Sequence, residues 1–306
     1  MRIAHFSDPH LLSIDGARLR DLLNKRWLGV VNLLTHRARE HKLHVFEALA
    51  RDVNEQSIDH VICTGDITNV ALRGEFAFAR DKFELFDHGA DRLTVIPGNH
   101  DAYVAAGIPL YEEFFGDLCA TDPGWEWPDG AAWPTVRVRG RLAVIGLTTS
   151  HPTPWFQAWG RIGDEQLVRA EQVLADERLA GTYRVVAVHH PPAGPYAPKK
   201  RHGLRDYERF AEVIERAGAE LVLHGHEHRD LRAELAGPAG ARVPVHGIQS
   251  ATYVGPRESH RARYRIYSIG ADGETTMELR GFDSSSQTFR PEEQGLARDL
   301  GVAASL

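Results

Sequence analysis

His224, His226 and His228 occupy every second position in VLHGHEHRD (222–230). Three imidazoles this close need partners, because charged rings repel and neutral ones each carry a donor and an acceptor. A metal ion would take up such lone pairs. Groups with the same chemistry recur along the chain: Asp8 and His10 in SDPH, Asp66 in TGD, Asn99, His100 and Asp101 in PGNHD, His189 and His190 in VHH. Carboxylate, imidazole and amide oxygen without thiolate suit Mn²⁺, Fe²⁺/Fe³⁺ or Zn²⁺. Asp8, His10, Asp66, Asn99, His189, His226 and His228 make seven side chains, too many for one tetrahedral zinc. Two metals sharing one bridging carboxylate would use them all and keep positions for water and substrate. Such a pair can clamp an in-line displacement at phosphorus.

Every one of these groups follows an apolar run that reads as a buried strand: RIAHFS (2–7), HVICT (60–64), RLTVIP (92–97), YRVVAVHH (183–190) and AELVLHG (219–225), with RLAVIGL (141–147) as a further strand. Between them, residues 44–56, 75–86, 164–176 and 207–218 carry apolar residues at three- and four-residue spacing, the pattern of amphipathic helices. The alternation predicts a layered α/β fold. In open α/β sheets, sites gather beyond the carboxyl ends of strands. After residue 229, LRAEL, RVPVHGIQ, ARYRIYSIG and ETTMELR read as successive antiparallel strands. The polar stretch 284–306 reads as a tail after a domain spanning 1–283.

Taken in order, Asp8-Pro9-His10, Gly65-Asp66, Gly98-Asn99-His100-Asp101, His189 and Gly225-His226-Glu227-His228 resemble the five blocks of calcineurin-like metallophosphoesterases, over roughly residues 1–250. The resemblance implies a four-layer α-β-β-α sandwich of two mixed sheets flanked by helices, with a dinuclear centre at the strand edge. It implies that Asp8, His10 and His228 hold one metal, that Asn99, His189 and His226 hold the other, and that Asp66 bridges. It further implies a phosphohydrolase in which a metal-bridging hydroxide attacks phosphorus. His100 is then placed to bind the phosphoryl group or protonate the leaving oxygen. The second block reads Gly65-Asp66-Ile67-Thr68-Asn69, unlike the GDxVDRG of the protein Ser/Thr phosphatases. The pattern is most similar to the bacterial phosphodiesterase branch, which points to small phosphate esters or nucleotides. Alternatives are a pyrophosphohydrolase of a nucleotide-linked lipid such as UDP-diacylglucosamine, and a non-catalytic, metal-bound interaction module. His100 stands where the UDP-diacylglucosamine hydrolases carry Arg, which counts against the first.

Other features take quieter readings. His224 is left over from ligation and is expected behind the site, bonded to a ligand or a backbone carbonyl. Asp101 is expected to brace its loop, His5 to be a satisfied buried ring, Cys63 to be core, and His36, His41 and His44 to lie on a solvated face. Residues 17–44 carry seven Lys/Arg against two Asp/Glu, with Trp27 among leucines and valines. They read as helices packed on the core, or as a lid or peripheral lipid contact. Lys199, Lys200, Arg201 and Arg205 follow His189 closely and are candidates for substrate phosphate. Net charge of −6 gives no basic field for a nucleic acid polymer. Two cysteines, a strand pattern from the first residues and no long apolar run make the cytoplasm the expected location.

Overall fold

The computed structural model describes residues 1–13 and 40–299. Most of the cationic segment, including His36 and Trp27, lies outside the described residues. No described helix is long and apolar enough to cross a membrane.

Among the described residues, two six-stranded sheets are built from the short apolar runs. In the first, β1 (Arg2–Phe6), β2 (His60–Cys63) and β3 (Leu93–Val95) run parallel. On the other side of β1, three antiparallel strands complete the sheet: β10 (Arg263–Ile269), β11 (Thr275–Asp283) and β12 (Thr288–Leu296). In the second, β5 (Leu142–Gly146), β6 (Tyr183–Ala187), β7 (Leu221–His224) and β9 (Arg242–Gly247) run parallel. β4 (Thr135–Arg139) and β8 (Leu231–Ala236) close its edges antiparallel.

Residue alternation decides what each face meets. Ile3, Ile62, Val144, Val185 and Leu223 point between the sheets and form the central core. Their neighbours Phe6, Val61 and Val95 point outward, against helix α1 (Leu43–Glu55), α2 (Arg73–Phe83) and α3 (Gly107–Phe115). Ile145, Val186 and Val222 do the same against α4 (Asp164–Leu174) and α5 (Tyr207–Ala217). Each such fully buried side chain contributes about 1.5–3 kcal/mol. The result is the expected four-layer α-β-β-α sandwich.

Several elements depart from the sequence reading. The four strands after residue 229 are not one meander: β8 and β9 belong to the second sheet, and the chain then crosses to build β10 and β11 in the first. Sheet membership is set by long-range pairing, which local periodicity does not carry. The polar stretch from 284 contributes β12, an edge strand paired to β11 from Thr276↔Leu296 to Asp283↔Thr288. Phe289 is the one buried residue along it, and its exposed side chains are mostly polar, so its sequence reads as polar. Helix α3 begins Gly107-Ile108-Pro109, and those two breakers hide its pattern.

Candidate metal centre

The carboxyl ends of β1, β2, β3, β6 and β7 meet at one edge where the two sheets touch. Ser7 bridges to Ser250, Asp8 N donates to Gly65 O at 2.9 Å, and Gly225 N donates to His189 O at 3.1 Å. His189 Nδ1 reaches across to Thr64 O at 2.7 Å. The seven expected side chains converge there in two groups. In the first, Asp8 Oδ1 lies 3.2 Å from His228 Nε2 and 4.0 Å from His10 Nε2. The two ring nitrogens face each other at 3.1 Å. In the second, Asn99 Oδ1 lies 3.1 Å from His189 Nε2 and 2.8 Å from His226 Nδ1. Asp66 stands between the groups, with Oδ2 3.9 Å from His10 Nε2 and Oδ1 3.4 Å from His189 Nε2.

The backbone is bent to achieve this. Asp8, His10, Asp66, His226 and His228 all have φ between 43° and 74°. Asp and His tolerate the left-handed region better than most residues, and strain of this kind collects at functional sites. Close approach also demands glycine. A Cβ on Gly98 would fall 2.2 Å from Asp66 N, and one on Gly225 1.9 Å from Ser7 Oγ. Asp101 braces both neighbouring loops from beneath. Its fully buried carboxylate accepts Ile67 N, Thr68 N and Gly98 N at 3.1, 2.8 and 2.8 Å.

The donor set fits two divalent cations. Asp8 Oδ1 is buried without a hydrogen bond, facing the His10 and His228 rings. His, Asp and Asn supply only N and O donors, as harder divalent ions prefer. Burial pushes the Asp8 and Asp66 carboxyls up, but the imidazoles outweigh it: His228 foremost for Asp8, His189 for Asp66. Both stay below the usual carboxylate range, ready as anionic ligands. Burial holds His226 down at about 3, helped by His189. His189 itself is driven down by burial and up by Asp66, with a net rise to about 9.

That last value makes a pH prediction. With Nδ1–H given to Thr64 O, the second proton of His189 sits on Nε2, the nitrogen a metal would need. A raised folded-state value means the proton is held at neutral pH and lost only toward pH 9. Metal affinity should therefore climb by up to about tenfold per pH unit from 7 to 9 and then level. Calorimetric titration in two buffers of different ionisation heat should find about one proton released per metal pair at pH 7.5. An affinity that is flat with pH and releases no proton would contradict it.

The other sequence expectations divide. His100 lies at the mouth: its N donates to Asp66 Oδ1 at 2.7 Å, its Nδ1–H to Asn69 O at 2.5 Å, and its ring stacks on Tyr103. His224 is buried behind the site, Nδ1 3.1 Å from Gly225 O. Of the four cations after His189, Lys199 lines the cavity over the centre. Lys200 and Arg201 are exposed outside its lining, and Arg205 stands 4.6 Å over the Trp159 ring. His44 is exposed, but His41 is not on a solvated face. Its ring is 5.0 Å from that of His10 and 5.9 Å from that of His228. The one signal is topological and not local: a segment that follows the first strand at His10 returns to the same edge. His190, to which the sequence assigns no role, also lies beside the site. It is fully buried, with Nδ1 2.7 Å from Thr149 Oγ1, Nε2 3.1 Å from Ala158 O and its ring 4.4 Å from that of His226.

Known structures share this architecture. A dimetal phosphatase from Danio rerio superposes with a TM-score of 0.62 at 13% identity, covering 97% of this chain and 98% of that one. A purple acid phosphatase from yellow lupin (Lupinus luteus) seeds gives 0.59 at 14% identity, covering 97% of this chain and 53% of that one. At these identities the likeness is one of fold. A comparison with curated protein sequences gives no match. The sequence itself matches calcineurin-like phosphoesterase over residues 1–230, the stretch that carries all five blocks. The chain belongs to the calcineurin-like phosphoesterase family, whose members are metal-dependent hydrolases of phosphoric esters.

Proposed function

We propose that this hydrolase is a dinuclear phosphodiesterase acting on small phosphate esters or nucleotides. The observation that carries the dinuclear part is Asp66, whose two oxygens face different ligand groups. Asp8, His10 and His228 would hold one ion, and Asn99, His189 and His226 the other. When bound, the pair supplies charge neutralisation and an activated water for displacement at phosphorus. His100, fixed as the Nδ1–H tautomer by Asn69 O, carries its lone pair on Nε2 and lines the cavity. Once protonated at Nε2, it would donate to a phosphoryl oxygen or pass that proton to the leaving oxygen.

A cavity of about 420 Å³ over the centre matches a small ligand. Its walls carry Glu40 and Glu227 as well as Lys199 and Arg257. A dianionic monoester would meet both carboxylates, whereas a diester carries one charge. This favours the diester. The Mn²⁺-loaded protein should turn over bis-p-nitrophenyl phosphate with kcat/KM at least about tenfold above p-nitrophenyl phosphate, about 1.4 kcal/mol of discrimination. Cyclic AMP and a UDP-lipid analogue complete the panel. A preference for the monoester would overturn the diesterase reading, and hydrolysis of the UDP-lipid analogue alone would replace it with the pyrophosphohydrolase.

A further inference from the structure

His41 sits at the metal edge with its tautomer fixed by the chain. Ser250 Oγ donates to Asp8 O at 2.7 Å, and Thr252 Oγ1 donates to Pro9 O at 2.8 Å. A hydroxyl has one hydrogen, and a carbonyl can only accept. Toward a third group both hydroxyls must therefore accept. His41 Nδ1 lies 2.9 Å from Thr252 Oγ1 and 3.3 Å from Ser250 Oγ, so Nδ1 carries the hydrogen and Nε2 the lone pair. An imidazole whose far nitrogen is pinned in this way is the usual arrangement of a metal ligand.

The His41 ring also stands beside the first ligand group. The His10 and His228 rings are 5.1 Å apart, and His41 stands 5.0 Å from the first and 5.9 Å from the second. Its backbone is held in place: His41 bridges Tyr253, Val254 N donates to Glu40 O at 2.7 Å, and Lys42 N donates to Thr252 O at 3.2 Å. The ring lines the cavity over the centre.

We propose that His41 is a further protein donor, offering Nε2 to the ion held by Asp8, His10 and His228. This rests on the dinuclear reading above. It makes the two sides unequal. The His41 side is crowded with protein donors, and exchange of water and substrate falls to the side of Asn99, His189 and His226.

The test uses the full chain, stripped with a chelator and reloaded with Co²⁺, whose visible absorption reports its donors. Wild type should bind in two steps. His41→Ala should weaken one step by about 10–100-fold, leave the other alone, and change the absorption of the weakened site. Added imidazole should restore both the affinity and the spectrum. Thr252→Val keeps the ring and removes an acceptor of its Nδ1–H, so it should weaken the same step several-fold. Wild-type affinities and spectrum in His41→Ala would overturn the inference while leaving two bound metals intact. So would a weakened step that imidazole does not restore. Should His41→Ala fail to fold, unchanged binding in Thr252→Val would count against it in the same way. Failure of the wild-type protein to bind Co²⁺ would instead overturn the dinuclear reading itself.

Discussion

Replacing Asp66 by Ala should abolish metal loading and hydrolysis together. Asp66 puts one oxygen 3.9 Å from His10 Nε2 and the other 3.4 Å from His189 Nε2, so a single carboxylate faces both groups. It also accepts the His100 backbone N–H at 2.7 Å, which holds the residue next to Asn99 in register. Its loss removes the shared anion, uncouples the two groups and frees the His100 loop. Hydrolysis of a diester should fall about a thousandfold or more, because the pair of ions provides most of the stabilisation of developing charge. A second readout separates loading from chemistry. Ions that bind only the native state raise its melting temperature by mass action, by about 2.7 kcal/mol at a hundredfold excess over Kd. Wild type should show that rise with Mn²⁺, and Asp66→Ala should lose most of it. A variant that keeps both the metal-induced rise and the wild-type rate would remove Asp66 from the centre.

Much of this site is written locally, and the reason is geometric. Each ligand block follows directly on a strand, so the apolar run and the polar punctuation name both the element and its end. SDPH after β1 and HGHEH after β7 are examples. Their positions relative to one another need only parallel strands in two packed sheets. His41 shows where local reading stops. Its neighbours in sequence are charged, and nothing nearby marks it as inward-facing. Its place depends on pairing with Thr252–Val254, some 210 residues away. Lys199 and Arg205 make the same point in the opposite sense. Both are cations in one loop of PPAGPYAPKKRHGLR, yet one lines the cavity and the other packs on Trp159. The strand β4 lay hidden for a different reason. TVRVR alternates, but it places Arg137 inward, where a buried guanidinium bonds Leu93 O and Leu118 O at 2.7 and 3.0 Å.

Gly225→Ala should damage one half of the centre more than the other. Gly225 follows the last residue of β7 and passes directly beneath the loop that carries Asp8. A Cβ there would lie 1.9 Å from Ser7 Oγ and 2.4 Å from Asp8 Oδ2. Neither atom can yield freely. Ser7 and Asp8 are fully buried, and Asp8 Oδ2 already accepts His226 N at 3.0 Å. The methyl must therefore push the Asp8 carboxylate away from His10 and His228, or push the His226 loop outward. Overpacking of this kind costs about 1–3 kcal/mol of stability. The selective effect is the sharper one. Asp8 Oδ1 faces His228 and His10, so the ion held with them should weaken by about 10–100-fold. The second group is reached only through His226, which adjoins Gly225, so its ion should weaken less. Metal content after dialysis should fall from two ions per chain toward one, with hydrolysis falling alongside. Two tightly bound ions in Gly225→Ala would show that the close approach of β7 to β1 has slack, and that glycine is not what lets the two sheets share a centre.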